Sequence, residues 1–546
     1  MLARQECPGL APRLPTSVAR LIPGLCRSLA RLLTKDLSFA YVQANPMGGG
    51  DTQQQPPAAS CTYMHGQVDG LGEYQQQLST IRSHAGRLLQ VCGSCSPASA
   101  VQALSALSTH LAVPVCETKP NDGLERCAGG GLFTSKASSS YVALEAATLA
   151  TSQLANGLPE EAVRADSPLL PALGAVAAAW VDRCKSPDPR LDGQGMKGSV
   201  SLWRIIMHNR TMLQTLIARL FATGGAKVHP AEQEAGGIDS APSDRRHSAC
   251  NGLSRLGRKL PAVLVAMLPD LAKRSKALIE SGVLPSTCDT LVLEMLVSVS
   301  NVDPDGSRRI KFLSDVLQLH LGFLTSEPIS AAFKSPQAML SFVGLLGAPG
   351  STPPPMPPGA PAGAGRSSAS RRDFFLRLFF TMWTVGRRSL PKDGHPPPFS
   401  TQWRVALPAT LMTISAIHGM FAPKAQEVLL SHPQARFVLA MPGEEVRMLL
   451  GNDSDDVETP EPGTREAAAW DVSVWVSRVL WNSQALFGLA AAHGRFGLFS
   501  KGGAVALQAH WEHVLGAGAA RVPPLRVVRL TIRNVVLPIV RHCPPD

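Results

Sequence analysis

Apolar residues in the stretch 245–346 recur at the spacing of amphipathic helices. One stripe falls three and four residues apart along a single helical face, at Leu260, Val263, Leu264, Met267, Leu268 and Leu271. Gly282 and Pro285 interrupt this stripe, and another begins at Ile310 after an Asp-Pro-Asp-Gly run that is typical of a turn. Pro328 stands where it opens a further helix at its first turn. The pattern predicts helices in antiparallel succession, with no convincing strand of alternating polarity between them.

The same spacing predicts helices along the rest of the chain. They cover residues 15–34, 70–91, 98–112, 139–156, 167–184, 196–223, 245–257, 259–280, 288–301, 308–325, 328–346, 371–389, 403–420, 422–440, 466–492, 501–515 and 524–541. Low-complexity stretches separate several of them, at 46–60, 116–138, 224–243, 349–370 and 452–465. Their composition predicts disordered loops between repeats. The proline-rich stretch 353–358 also has the form of a PxxP ligand.

These elements predict an all-α fold: an α-solenoid superhelix of HEAT-like antiparallel helix pairs with disordered insertions. A chain of 546 residues exceeds the size of one compact core, so it forms several domains or a repeat array. The predicted division is an N-terminal helix with a low-complexity stretch (1–60), HEAT-like repeats (61–348), a disordered Pro/Gly/Ala-rich insertion (349–370) and further HEAT-like repeats (371–546). The last predicted helix, from Leu525 to Val540, is apolar on nearly every side. This favours a portion of a longer array, truncated at its C-terminus.

The net charge of +11 favours an acidic partner such as nucleic acid. The predicted RNA-binding residues form two clusters, and A-form duplexes are bound through backbone contacts that such clusters supply. One follows a face of the last helix, at Arg526, Arg529, Arg533 and Arg541. The other comprises Arg245, Arg246, Arg255, Arg258 and Lys259, followed by Lys273, Arg274 and Lys276. The alternative for both clusters is a solvated face or a set of inter-repeat salt bridges.

A third basic cluster is interleaved with aromatic residues, a combination that favours stacking on single-stranded nucleic acid. Its cations are Arg371, Arg372, Arg377, Arg387 and Arg388. Its aromatics are Phe374, Phe375, Phe379, Phe380 and Trp383. Because these aromatics fall at helical spacing, we expect them to lie in a core.

Several segments, taken in order, resemble the exportin-5 (HASTY) family of the importin-β superfamily. They include RRHSAC from Arg245, LVLEMLVSVSN from Leu291, YVALEAATLATSQL from Tyr141 and RLTIRNVVLPIVRHCPPD from Arg529. Shorter matches lie at Phe342–Gly344 and in FAPKAQEVL. Hydrophobic helices tolerate substitution, so the shared order carries the resemblance rather than any single segment.

The resemblance implies a nuclear export receptor. Such a receptor binds structured RNA cargo, including precursor microRNA and tRNA, together with GTP-bound Ran. It contacts nuclear pore proteins and shuttles between nucleus and cytoplasm. This chain would correspond to the central portion of the solenoid, without the amino-terminal repeats that carry much of the Ran contact. A generic α-solenoid scaffold for protein partners is the alternative.

Other chemistry finds little support in the sequence. The motifs of P-loops, zincins, α/β-hydrolases and kinases are absent, so neither an enzyme nor a cofactor or metal site is predicted. The single CxxC, Cys92 to Cys95, lacks the context of a redox or zinc site, which favours ordinary reduced cysteines. The sequence contains no uninterrupted apolar run of about 18 residues, so no transmembrane span is predicted. Residues 1–35 are rich in arginine, which is typical of a first solenoid helix or of an organelle transit peptide.

Overall fold

The chain forms two compact units, and each is described by itself. The first comprises residues 1–263 with 283–285, and the second comprises 264–282 with 286–546. The computed structural model describes residues 24, 71–110, 124–126, 132–134, 139–183, 189–226, 245–281, 284, 287–347, 354–360, 364–365, 367–389, 397–420, 423–439 and 464–493. The helices predicted at 15–34, 501–515 and 524–541 lie outside these residues, apart from a single position.

The first unit is built from helices and one short pair of strands. The helices are α1 (Leu71–Cys95), α2 (Pro97–His110), α3 (Ser139–Gly157), α4 (Leu170–Arg183), α5 (Pro189–Ser201), α6 (Trp203–Ile206), α7 (Arg210–Gly224) and α8 (Arg245–Lys259). A 3₁₀ turn covers Glu160–Val163. The strands β1 (Leu124–Arg126) and β2 (Leu132–Thr134) pair antiparallel, with Glu125 opposite Phe133.

In the first unit, when only the long helices are counted, each helix packs against the helix two places further along the chain. Helix α1 contacts α3, α3 contacts α5, and α5 contacts α8, while α2 contacts α4 and α4 contacts α7. Helices α1 and α3 run parallel, because Arg82, Gln90 and Ser94 of α1 bond in order to residues of α3 that each lie 63 positions later. The apolar stripes of these helices are buried between them, with Leu89 and Leu154 fully inaccessible.

The second unit repeats this arrangement. They are α9 (Pro261–Leu264, at the boundary of the units), α10 (Leu268–Glu280), α11 (Cys288–Ser300), α12 (Gly306–Thr325), α13 (Glu327–Ala332), α14 (Pro336–Phe342), α15 (Ser368–Arg388), α16 (Trp403–Gly419), α17 (Pro423–Ser431) and α18 (Arg465–Ala492). Three 3₁₀ turns lie at Val265–Met267, Pro398–Gln402 and Ala435–Leu439. Helix α11 contacts α15, α15 contacts α18, and α12 contacts α16.

A cluster of phenylalanines forms the centre of the second unit. The rings of Phe333, Phe342 and Phe379 surround Phe375, with ring centroids 5.6 to 6.3 Å apart along the cluster. Two of these four pairs meet edge to face, the geometry that aromatic quadrupoles favour, and the other two are tilted. All four side chains are buried, and so is Phe374. The predicted core position is thus confirmed for Phe374, Phe375 and Phe379, whereas Phe380 and Trp383 are partly exposed.

The prediction of a helical chain is confirmed for the described residues, with corrections at five places. Helix 196–223 is broken, because the side chain of Asn209 accepts a bond from Met212 N at 3.0 Å and so starts a new helix. The predicted helices 259–280, 328–346 and 422–440 are also each interrupted. The predicted loop 116–138 contains β1 and β2, whose backbone pairing the glycine-rich composition did not indicate.

The insertion 349–370 was predicted to be disordered, yet part of it is packed. Arg371 donates from Nη1 to the carbonyl of Pro354 at 2.8 Å and to that of Phe342 at 3.0 Å. Met356 lies partly buried against the phenylalanine core. Ser367 and Ser370 form a capping box that begins α15 three residues before its predicted start. One arginine and one methionine therefore anchor a stretch whose average composition indicates disorder.

Candidate nucleic-acid interface

Helix α8, which carries five of the predicted RNA-binding residues, is held between α5 and α7. Gly252 allows this close packing, since a Cβ at its position would lie 3.1 Å from side-chain atoms of both Leu220 and Val200. Leu253 and Leu256 are buried on the same side. The helix is thus fixed along its length, and its basic residues have defined surroundings.

The first turn of α8 directs its arginines inward. Arg245 faces α5, where its Nη1 lies 3.9 Å from Oδ2 of Asp192, and its side chain is only 19% exposed. Arg246 is 6% exposed. A phosphate needs a cation that it can reach from solvent. Arg245 therefore serves the α5–α8 contact, Arg246 is buried, and the structure does not place either of them on a surface open to RNA.

The last turns of α8 carry cations that solvent reaches. Arg258 and Lys259 are exposed, and Arg255 is partly buried beside them. Burial, and then the positive charge of Arg258, lowers the pKa of Arg255. Across the described residues, no carboxylate oxygen lies within 4.0 Å of either arginine. Lys259 Nζ sits 5.7 Å from the ring centroid of Trp203, a cation–π distance.

This end of α8 is a concentrated positive site. Two like charges, one of them partly desolvated, repel each other and leave an unmet demand for an anion. The alternative is that Arg258 and Lys259 only stabilise the helix, because cations in the last turn interact favourably with the negative end of the helix dipole. A bound anion would reduce the repulsion between Arg255 and Arg258, so this end of α8 is a candidate surface for an anionic partner.

The remaining basic residues are placed differently. Arg526, Arg529, Arg533 and Arg541 lie outside the described residues. Lys273 is exposed on α10, and its neighbours form surface ion pairs one turn apart: Arg274 with Asp270 at 2.9 Å and Lys276 with Glu280 at 3.8 Å. Such pairs indicate a solvated face.

The third basic cluster belongs largely to the interior of the second unit. Arg377 Nη2 lies 2.7 Å from Oδ2 of Asp289, and Arg388 Nε lies 2.5 Å from Oε1 of Glu294. Both acids belong to α11 and are buried. Burial opposes the charge of Asp289, but Arg377 and His320 outweigh it and hold the pKa of that carboxyl well below its ordinary value.

The sequence analysis did not predict this contact between α11 and α15, which we call the α11–α15 joint and which the two ion pairs form. Arginines with aromatics suggested a nucleic-acid surface, whereas two of them neutralise buried carboxylates. A signal was present, because Asp289 and Glu294 interrupt an otherwise apolar helix, and a buried acid needs a partner. Asn301 completes the joint by donating from Nδ2 to the carbonyl of Arg388 at 2.6 Å.

The CxxC segment is part of a helix contact. Cys92 is buried and Cys95 is partly buried, and both are free thiols. Between them, Gly93 lies against α3, where a Cβ would come 2.8 Å from the carbonyl oxygen of Leu154. Ser94 Oγ donates to the carbonyl of Gly157 at 2.9 Å. Packing against α3 therefore accounts for the glycine and the serine of this segment.

The part of the chain that the structure describes shows neither a metal site nor a single helix able to span a membrane. No three His, Cys, Asp or Glu side chains within the described ranges come together as a group able to hold a metal ion. In the same ranges no single helix has both the length and the hydropathy to cross a membrane, although one bent pair, Pro398–Gly419 with Lys424–Ser431, meets both criteria together.

No protein-family model matches the chain, and no curated protein matches it significantly. The resemblance to the exportin family therefore rests on the ordered segments quoted above.

Proposed function

We propose that this chain is an α-solenoid binding module that acts as a nuclear export receptor of the exportin-5 type. It holds structured RNA cargo together with GTP-bound Ran, contacts nuclear pore proteins, and shuttles between nucleus and cytoplasm. The ordered resemblance of several helices to that family supplies the class of receptor. The packing of the helices and the cations of α8 supply the physical support.

The observation that carries the proposal is the parallel packing of every second helix. A closed up-and-down bundle places each helix beside antiparallel neighbours. Here α1 and α3 share a constant offset of 63 residues. In the second unit, Asp289, Thr290 and Glu294 of α11 contact Arg377, Thr381 and Arg388 of α15 in the same order. Two layers of parallel helices, stacked pair on pair, are the arrangement of HEAT-like arrays.

The RNA part of the proposal is supported by the basic end of α8. Duplex RNA is recognised through its phosphates and 2′-hydroxyls, so a short row of accessible cations on a fixed helix suits it. Arg255, Arg258 and Lys259 provide such a row. Their positions are fixed by the burial of Leu253 and Leu256 beneath them.

A generic scaffold for protein partners is the second candidate, and one observation favours it. Most arginines of the third cluster are occupied by carboxylates or carbonyls of the same unit, including Arg371, Arg377 and Arg388. Fewer arginines are therefore available to a polyanion than the net charge of +11 suggests. An α-solenoid of this kind would bind peptides or folded domains along its helices.

Salt-dependent binding of a short hairpin RNA separates the two candidates. The chain should bind the hairpin at low salt, with GTP-bound Ran raising the affinity. The double substitution Arg258→Gln with Lys259→Gln should flatten the slope of log affinity against log salt by about 1 to 2. The matched control, Arg274→Gln with Lys276→Gln, removes two exposed cations from α10 and should leave the slope unchanged.

The outcomes distinguish the candidates clearly. If the hairpin is not bound at low salt, the export function is wrong and the scaffold remains. If both double variants change the slope equally, binding is a diffuse effect of net charge and α8 is not the interface. Circular dichroism of each variant verifies that the helices are intact.

A further inference from the structure

An exposed aromatic surface lies along the contact between α15 and α18. Trp383 and Trp481 meet edge to face, with ring centroids 4.8 Å apart and planes at 71°. Phe380 lies 6.2 Å from Trp383, and the guanidinium of Arg387 stacks 4.3 Å from the centre of the Trp383 ring. We call these four side chains, with Arg478, the aromatic seam.

The seam is open to solvent, unlike the phenylalanine core beneath it. Trp481 is 37% exposed, and Phe380 and Trp383 are partly exposed. Single exposed apolar residues are ordinary on protein surfaces, but a contiguous group of large rings marks an interaction site. Arg387 and Arg478 are also exposed.

The charge of the seam indicates the kind of partner. Arg478 stands three residues before Trp481 and so shares its side of α18. Within the described part of the chain, no carboxylate oxygen comes within 4.0 Å of Arg478. A ligand that covers the rings therefore meets positive charge beside them. A ligand with flat, apolar groups on a negatively charged backbone can contact both the exposed rings and the neighbouring arginines.

We propose that the aromatic seam binds an unpaired segment of RNA by stacking its bases on Trp481 and Trp383. Arg387 and Arg478 then contact the neighbouring phosphates. Single-stranded nucleic acids bind through this combination of aromatic faces and flanking cations, with little dependence on sequence. The inference rests on the proposed function in taking RNA as the partner, but it uses a different unit and a different chemistry from the cations of α8.

A proline-rich peptide is the competing occupant, because such peptides dock on aromatic-lined surfaces. The arginines favour RNA, since a proline-rich helix carries no charge that requires them.

The test uses the full chain and three fluorescently labelled probes. They are a 12-nucleotide oligoadenylate RNA, a 12-unit base-free ribose-phosphate strand of equal charge, and a blunt-ended RNA duplex. We expect oligoadenylate to bind more tightly than the base-free strand. Trp481→Ala should weaken oligoadenylate binding about 5- to 100-fold, the range for losing one base stack. It should leave the base-free strand and the duplex unchanged.

Two further variants sharpen the test. Trp481→Phe keeps an aromatic face and should restore most of the affinity. Leu430→Ala removes another exposed apolar side chain of the same unit, 63% exposed on α17, and should change nothing. A thermal melt of each variant confirms that the second unit remains folded.

Three results would overturn the inference. One is equal affinity for oligoadenylate and the base-free strand. Another is an affinity that Trp481→Ala does not alter. The third is a proline-rich peptide that binds in a Trp481-dependent way while the oligonucleotide does not. Failure of the proposed function appears separately, as loss of duplex and hairpin binding while oligoadenylate binding persists.

Discussion

The two units stack their helices in the same manner but join them by different means. In the first unit, α1 and α3 approach until their backbones touch. A Cβ at Gly157 would lie 2.2 Å from the carbonyl oxygen of Gln90. In the second unit, α11 and α15 are joined by buried charges, chiefly Asp289 with Arg377 and Glu294 with Arg388.

This difference separates the two physical requirements of a helix contact. A glycine contact depends on volume, because there is no space for an added methyl group. A charged contact depends on neutralisation, because a buried ion without a partner costs several kcal/mol. The α1–α3 contact should therefore be sensitive chiefly to side-chain size, and the α11–α15 contact should be sensitive to the loss of charge.

The largest expected effect is the loss of the buried ion pair. Asp289→Asn keeps the shape of the side chain but leaves Arg377, in the interior, with only the more distant carboxylate of Asp373, 3.8 Å from its Nη1. We expect a loss of about 3 to 5 kcal/mol in the free energy of unfolding, measured by urea denaturation. The control Asp270→Asn breaks an exposed pair with Arg274 and should cost under about 1 kcal/mol. Equal effects would show that the buried pair is no more important than a surface one.

The next effect is a dependence on pH in the second unit. The indole nitrogen of Trp403 donates to Nδ1 of His493 at 3.0 Å. Burial lowers the pKa of His493 from 6.5 to about 4. The unfolded chain therefore binds a proton between these values that the folded chain does not. The contribution of His493 to the free energy of unfolding is fully present above pH 6.5. It is lost as the pH drops toward 4, and the loss reaches up to about 3 kcal/mol.

His493→Gln tests this dependence, because glutamine accepts the bond from Trp403 without titrating in this range. Urea denaturation at pH 7 and pH 4.5 should give a smaller loss of stability on acidification for the variant than for the unaltered chain. The same loss in both proteins would place the dependence elsewhere. Asp289 adds a further loss at lower pH, since its lowered pKa stabilises the fold above about pH 4 and that contribution disappears as the pH falls through the folded-state value.

Much of the secondary structure could be predicted from the sequence, because helix position follows from local spacing. The predicted start of α3 at residue 139 and end of α12 at 325 agree with the structure. Caps explain the errors of a few residues, such as Ser367 ahead of α15. These are local properties, and the side chains that decide them stand beside the boundary.

The partners of charged residues could not be predicted in the same way. Arg245 and Arg258 lie in one helix and carry the same charge. Only the position of Asp192 on a neighbouring helix makes the first an interior residue and leaves the second on the surface. Their roles depend on which helices become neighbours. That pairing is a tertiary property, and no spacing within α8 encodes it.

Volume at the α1–α3 contact gives a third, smaller effect. Gly157→Ala should lower the free energy of unfolding by about 1 to 3 kcal/mol, since the added methyl meets backbone atoms that cannot rotate away. Gly174→Ala is the matched control. Nothing lies within 4 Å of the Cβ position there, so alanine should stabilise α4 by about 0.5 to 1 kcal/mol. The change in stability that each substitution causes should be independent of pH, and a pH-dependent loss at Gly157 would contradict the contrast between the two contacts.

The smallest expected effect comes from the uncharged part of the α11–α15 joint. The hydroxyls of Thr290 and Thr381 lie 2.6 Å apart, fully buried. Thr290→Val alone leaves the other hydroxyl without this partner and should cost about 1 to 3 kcal/mol. Changing both to valine keeps the volume and removes the demand for a bond, so the double variant should lie within about 1 kcal/mol of the unaltered chain. Urea denaturation of the four proteins in this cycle gives the coupling between the two positions. A double variant as unstable as the sum of its singles would mean that the two positions are not coupled, so the buried hydrogen bond between them would not explain the cost of either single change.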